Sequence, residues 1–342
     1  MTGAGLIEFG EPALPFAPLF PQVRVMADFD EIDLSAVRTH SAADRRSKVG
    51  IGDIAGPLRA DMTVKQFLNA LPATLKANDL KAVAGAIVRA KREKRSVIVM
   101  LGGHVVKTGC GPILIDLAKN GFVTHFASNG AAGIHDTELA RFGSTSEEVE
   151  TQLEDGSFGM ARDTAALVNE AAIRAAEDDK GFGESMGSLL QQENPPYAEH
   201  ALLLQAYLMN IPYTLHVAIG TDIVHQHPGA DGAAIGKASL KDFRIFAGSV
   251  AGLGEGGVLL NLGSAVIMPE VFLKALSVAR NLGHRVFDFT AANFDMIQHY
   301  RPSLNVVGRP VSKGGRGYSI TGHHELTIPL LAAAIYETEA GP

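Results

Sequence analysis

The sequence predicts an α/β fold, a parallel sheet with helices on both faces, entered from an irregular N-terminal arm. Three observations carry the prediction. Apolar runs of strand length alternate with amphipathic runs of helix length along most of the chain. The strand runs are apolar throughout, not at every second residue, which is the pattern of strands buried on both faces. Each strand run then ends in glycine and polar residues, the place where open parallel sheets bind ligands. The expected organisation is an arm over residues 1–64 and a single α/β domain over residues 65–342.

The elements follow in order. The first 64 residues show little periodicity. Their FGEPALPFAPLFP stretch (9–21) reads as a segment over the surface or reaching a neighbouring subunit. VKQFLNALPATLKANDLKAVAGAIVRAKREK, from Val64, reads as helical with a break near Pro72. SVIVML (Ser96 to Leu101) is β-branched and apolar and predicts a buried strand. GPILIDLAKNG predicts a helix with Pro112 in its first turn and Gly121 past its end. FVTHFAS is the next strand and runs into SNGAAGIHD, read as a ligand loop. TSEEVETQLEDG offers a capping Thr or Ser before its acids, and MARDTAALVNEAAIRAAEDDKG is an amphipathic helix. Then come a helix in YAEHALLLQAYLMN, a strand in IPYTLHVAI and a helix in LKDFRIFAGSVAGL. A strand in GGVLLNLGSA, a helix from Pro269, a strand in HRVFDFTAA and a last helix in ELTIPLLAAAIYETE complete the chain.

Composition narrows the function classes. With 342 residues, 46% hydrophobic and 20% charged, the chain can bury a sizeable core. A net charge of −7 and the lack of a dense basic stripe argue against nucleic acid, and RAKREKR (Arg89 to Arg95) reads as a solvated helix end. The single cysteine, Cys110, excludes an intrachain disulfide and points to a reducing compartment. No secretory signal stands out, and glycines and Glu255 interrupt the apolar stretch from Ile245 to Met268, so neither export nor a membrane span is expected. The expectation is a cytoplasmic homo-oligomer, dimer or tetramer, that acts on a small molecule.

Chemistry collects after the strands. The first is followed by Gly103, His104, Lys107 and Thr108, the second by Ser128, Asn129, Gly130, His135 and Asp136. The third is followed by Thr221, Asp222, His225 and His227. The fourth leads to Asn261, Gly263 and Ser264, the fifth to Thr290, Asn293 and Asp295. Small residues here permit close backbone approach to a ligand, so a crevice along this edge is expected. No G-x-G-x-x-G follows the first strand, so an ordinary dinucleotide fingerprint is missing. His225 and His227 share a face of an extended stretch, and with Glu325 of GHHELTIP they offer ligands for a divalent metal. RPVSKGGRGYSITGHHE (Arg309 to Glu325) reads as a mobile cationic loop whose Lys313 and Arg316 close on an anionic substrate. His104, His135, His323, His324 and Glu325 join them as substrate-binding candidates. Asp222, His225, His227 and Lys107 form the expected catalytic set, with a histidine as acid or base because its pKa suits neutral pH.

The order of these motifs resembles deoxyhypusine synthase, over roughly Ser96 to Asp295. GGHVVKTGCGPILIDLAKNGFVTHFASNGAAGIHDTELA, IPYTLHVAIGTDIV, GGVLLNLGSAV and HRVFDFTAANFD carry the resemblance. It implies a Rossmann-like fold, NAD as cofactor and a tetramer that holds NAD across paired subunits. It also implies NAD contacts at Thr108, Gly109, Asn129, Gly130, Asp136, Asp222, Thr290, Ala291 and Asp295; Gly103, Gly263 and Ser264 join them as strand-end candidates. The segment LEDGSFGMARDTA, near which that family's catalytic lysine aligns, holds no lysine, and GSAVIMPE replaces its paired histidines. The expectation is therefore an enzyme that binds NAD or a related nucleotide without performing deoxyhypusine synthesis. A metal-dependent lyase or hydrolase built on His225 and His227, and a non-catalytic nucleotide sensor, are the alternatives.

Overall fold

The computed structural model describes residues 29–341. They fall into two units that part between Lys48 and Val49. Residues 29–48 form turns and extended chain, all of it exposed. The FGEPALPFAPLFP stretch lies outside the described residues.

The second unit opens with a 3₁₀ turn at Ile51–Asp53, then α1 (Val64–Ala70) and α2 (Leu75–Arg92), separated at Pro72. Thr63 caps α1 in a capping box with Gln66. The strands are β1 (Val97–Leu101), β2 (His125–Asn129), β3 (Tyr213–His216), β4 (Val258–Leu262), β5 (Thr290–Asp295) and β6 (Arg316–Thr321). α3 (Gly103–Lys107) and α4 (Gly111–Lys119) join β1 to β2. α5 (Gly130–Phe142), α6 (Val149–Asp155), α7 (Arg162–Glu177), α8 (Phe182–Glu193) and α9 (Leu202–Leu208) lie between β2 and β3. α10 (Gly232–Ala251) crosses from β3 to β4, α11 (Ile267–Asn281) links β4 to β5, α12 (Tyr300–Asn305) precedes β6, and α13 (His324–Ala340) ends the chain.

All six strands are parallel, in the order β3-β2-β1-β4-β5-β6. This is the doubly wound order, and its switch point lies between β1 and β4. Successive residues of β1 enter opposite cores. Val97, Val99 and Leu101 pack with α2, α4, α9 and α13, while Ile98 and Met100 pack with α10 and α11. That two-sided burial is why the strands read as apolar at every position. The open edge of β3 is closed by α10: Asp242 accepts the Leu215 N–H at 2.7 Å. Ser239 Oγ accepts from Val217 N at 3.1 Å and donates to Leu215 O at 3.2 Å. Filling these groups removes an edge that would otherwise pair with another chain.

Three local expectations are corrected. SNGAAGIHD is not a loop: Asn129 caps α5 through the Ala132 N–H at 3.2 Å, and the helix starts at once. Its glycines serve helix packing, since a Cβ at Gly133 would lie 2.9 Å from Leu215 Cδ2. GGHVVK forms the short helix α3. HRVFDFTAA becomes strand only from Thr290, because Asp288 adopts a left-handed conformation (φ 58°) that breaks extension. RGYSIT is edge strand β6, paired with β5 along its whole length, not a mobile loop. Its exposed residues and two glycines hid it. α8 had no counterpart in the expected elements, and β6 replaces part of the expected loop.

Candidate functional site

The carboxyl edge of the sheet places two groups of residues side by side. The first lies at the switch point. Gly102 follows β1 and donates its N–H to Leu262 O at 2.9 Å, tying the β1 end to the β4 end. A Cβ on Gly102 would lie 3.0 Å from the Gly263 carbonyl carbon and nearer still to its oxygen. Gly263 takes φ 67°, and its own Cβ would meet the His324 ring at 3.0 Å or less. Gly102 needs glycine because the two turns meet backbone to backbone, and Gly263 because of its positive φ and the His324 ring packed over it.

Beyond Gly263 the chain runs Ser264-Ala265-Val266-Ile267 into α11, with no side-chain cap on that helix. The N–H groups of these four residues donate to no other described residue. The Ser264 hydroxyl accepts from Met268 N at 3.2 Å, which fixes the turn. A glycine at positive φ followed by unspent N–H groups at a helix start is a ready anion cradle.

Behind the turn runs a relay of amides. Asn261 Nδ2 donates to Ser264 O at 2.9 Å and to Asn293 Oδ1 at 2.7 Å. Asn293 Nδ2 donates to Gln298 Oε1 at 2.8 Å, and Gln298 Nε2 to Ile320 O at 3.2 Å. Asn261 and Asn293 are fully buried, and Asn261 Oδ1 has no partner. The relay pins the ends of β4, β5 and β6 in one register. The asparagines face the α10–α11 side, where the sequence shows a single polar residue inside VLLNL.

His324, at the start of α13, is buried, and its Nδ1 has no partner among the described residues. Burial lowers its pKa, and nearby Asp295 opposes that shift. The ring of exposed His104 lies 5.8 Å from it, centroid to centroid. Asp295 is buried at the end of β5. His323 and Glu325 are exposed beside His324 and contact one another at 3.7 Å.

The second group lies at the ends of β2 and β3. Asp222 presses on Gly130, where a Cβ would lie 2.6 Å from Asp222 Cγ. Burial raises the Asp222 pKa, and His225 opposes the rise. His225 Nδ1 accepts from Gly220 N at 3.1 Å and Asp222 N at 3.3 Å, so its proton sits on Nε2. His135 lies over Gly103, with its Cδ2 at 3.2 Å from a Cβ there, and bonds Thr145 at 2.7 Å. Thr145 and Thr164 donate to Glu138. Burial pushes the Glu138 carboxyl up, but bonds from His135, Thr145 and Thr164 outweigh it and hold it below the usual range.

Several expected site residues stand elsewhere. Asp136 is fully buried and accepts from Leu202 N at 2.9 Å and Leu203 N at 2.8 Å, so it caps α9 rather than facing a ligand. Its partner in kind, Asp242, holds Gly183 N at 3.0 Å at the start of α8. Thr108 spends its hydroxyl on His104 O at 3.0 Å, and Gly109 (φ 76°) terminates α3 behind it. Thr290 and Ala291 open β5, and Arg316 pairs with Thr290, so these three and Lys313 lie at the amino edge, across the sheet from the switch point. The expected catalytic set meets in part: Asp222 and His225 are joined by the Asp222 N–H to His225 Nδ1 bond. His227 Nε2 bonds Gly159 O at 2.8 Å, and no hydrogen bond or ion pair joins Lys107 to Asp222 or the histidines. His225 and His227 follow β3, whereas Glu325 follows β6. Among the described residues no three His, Cys, Asp or Glu side chains group to hold a metal, which removes the structural basis for that set as a metal site.

No helix of the described residues is long and apolar enough to cross a membrane. No protein-family model matches the sequence, and no curated protein matches it. Solved structures do. A conserved LOR/SDH protein from Methanococcus maripaludis S2 matches with a TM-score of 0.50 and 15% identity, covering 78% of this chain and 71% of that one. AgrE, in a ternary complex with ornithine and NAD+, matches with a TM-score of 0.50 and 14% identity over 80% of this chain. This chain spans only 35% of the AgrE chain. A protein assigned as a deoxyhypusine synthase from Entamoeba histolytica matches with a TM-score of 0.47 and 12% identity, covering 81% and 94% of the two chains. The strand order and the likenesses to the Methanococcus protein and AgrE agree on the fold: a Rossmann-like parallel α/β sheet.

Proposed function

We propose that this chain binds NAD at the switch point and is an enzyme that uses it on a small molecule held alongside. The observation that carries the reading is the turn Gly263–Ile267. It presents unspent N–H groups where the strand order reverses, which is where doubly wound sheets take a dinucleotide. The residues fit such a ligand. The N–H groups of Ser264 to Ile267 would hold diphosphate oxygens, and Gly102 and Gly263 keep side chains out of the way. Asp295, at the next strand end, would orient a ribose hydroxyl. Bound NAD supplies a hydride acceptor. Exposed His104, backed by buried His324, would hold or release a proton at the same place. The NAD+ in the AgrE complex supports the same cofactor for a shared fold.

The test is thermal unfolding with NAD, NADH, ADP-ribose and ATP. A ligand that binds only the folded state stabilises it by about 2.7 kcal/mol at a hundred times its Kd. The reading expects a rise with NAD and ADP-ribose, and the absence of any rise at millimolar NAD overturns it.

A further inference from the structure

One concave feature on the ligand edge is unlike the rest of that edge. A cleft of about 440 Å³ opens at the carboxyl end of β3, between the first turns of α10 and α11. Its walls are apolar: Val217, Ile219, Ile235, Leu240, Phe243 and Val266. Ile219, Leu240 and Val266 are 64%, 50% and 45% exposed, which leaves three large apolar side chains at one rim open to water. Its polar side chains are His216, Ser239 and Glu270, and His216 Nε2 meets Thr214 Oγ1 at 3.0 Å. Ser239 is bonded to β3, and Glu270 is bound by Lys274, Arg301 and Asn305. No lysine or arginine lines it.

The cleft is continuous with the anion-binding turn, because Val266 and Ile267 belong to both. Its volume falls within the range of small-molecule sites, roughly 300–1,000 Å³, which are mostly apolar with a few polar groups. Lys313 and Arg316, the cations expected to grip an anionic substrate, lie at the opposite edge of the sheet.

We infer that this cleft is the substrate subsite, and that it takes an uncharged, apolar portion of a small substrate, aliphatic or aromatic, beside the nucleotide. This rests on the reading of the Gly263–Ile267 turn as the nucleotide site. An anionic body has no cation to meet there. A polar one leaves Ile219 and Leu240 facing water and gains no partner in return. Covering the rim removes apolar surface from water, the favourable term such a subsite uses.

The experiment uses the neutral fluorescent probe N-phenyl-1-naphthylamine and the full chain. Probe binding is measured for the wild type, Ile219→Glu and Leu240→Glu, and NAD affinity is measured separately by calorimetry. Both side chains are well exposed, so the variants fold; matching circular dichroism and melting curves check this. The inference expects one probe per chain, at least a tenfold loss of probe affinity in each variant, and NAD affinity within twofold of the wild type. Probe affinity unchanged in both variants overturns it. Displacement of the probe by NAD alone also overturns it, because the cleft is then the nucleotide's own pocket. Failure of NAD to bind the wild type sinks the nucleotide reading instead, and the probe data still report on the cleft.

Discussion

Gly102→Ala isolates the contact that builds the switch point. Gly102 has φ −96° and ψ 166°, which alanine adopts without strain. Any effect is therefore steric. The new Cβ would sit 3.0 Å from the Gly263 carbonyl carbon, closer to its oxygen, and 3.4 Å from Ser264 N. The obstacle is backbone on both sides, so no side chain can swing away. Overpacking of this kind costs about 1–3 kcal/mol. Pushing the turns apart also weakens the 2.9 Å bond from Gly102 N to Leu262 O, worth about 0.5–1.5 kcal/mol. The expected loss is about 1.5–4.5 kcal/mol, the sum of those two terms, read by urea unfolding at constant pH. The same shift moves Gly263 and Ser264, so NAD affinity should fall at least tenfold. Gly248→Ala is the matched control. Gly248 lies inside α10 with nothing within 4 Å of its Cβ direction, so alanine should stabilise by about 0.5–1 kcal/mol. A Gly102→Ala protein within 0.5 kcal/mol of the wild type, with unchanged NAD affinity, would refute the packing argument.

Three further outcomes follow from the same structure. Lys313→Ala and Arg316→Ala should leave NAD affinity within twofold of the wild type, measured by calorimetry, because both residues stand at the amino edge. Asn261→Leu cuts the relay behind the turn and strands the buried Asn293 Oδ1, costing about 1–3 kcal/mol in urea unfolding; a neutral effect would contradict the relay. The pH prediction rests on four buried groups. Burial raises Asp136 and Asp242 to about 7, so the stability they contribute is present below the unfolded value of 3.8 and is lost as pH rises through 7. Burial lowers His125 and His216 to about 3, so theirs is present above the unfolded value of 6.5 and is lost as pH falls towards 3. Between about pH 4 and 6.5 the two pairs oppose each other and nearly cancel. Asp136→Asn leaves one histidine unopposed, so the variant should lose about 1.4 kcal/mol per pH unit on acidification through that window, relative to the wild type. Urea unfolding at three pH values reads the difference, and parallel wild-type and variant profiles would refute it.

The sheet was legible because burial on both faces writes itself into the strands: VIVML, and VLLNL apart from Asn261, are apolar whichever core each residue enters. β6 was not, because an edge strand with exposed Arg316 and Gly317 carries no such run. Gly263 and Ser264 were found from the strand-end pattern. The backbone contact between Gly102 and Gly263 was not, because it joins residues far apart in sequence. The polar residues of SNGAAGIHD were legible as special, but their task was misread. Asp136 projects inward from the first turns of α5 and caps α9, a partner that arrives only after the chain has built α6 to α8. Lys313 and Arg316 were assigned to the wrong edge for a related reason. Once RGYSIT is a strand, its amino end and its carboxyl end lie on opposite sides of the sheet.

The most direct test of the switch-point site is amide-resolved NMR of the isotope-labelled chain during an NAD titration. The account predicts that the N–H resonances of Gly103 and of Ser264 to Ile267 shift together and saturably, while those around Lys313 and Arg316 stay in place. Saturable shifts confined to another part of the chain, or none at all, would contradict it.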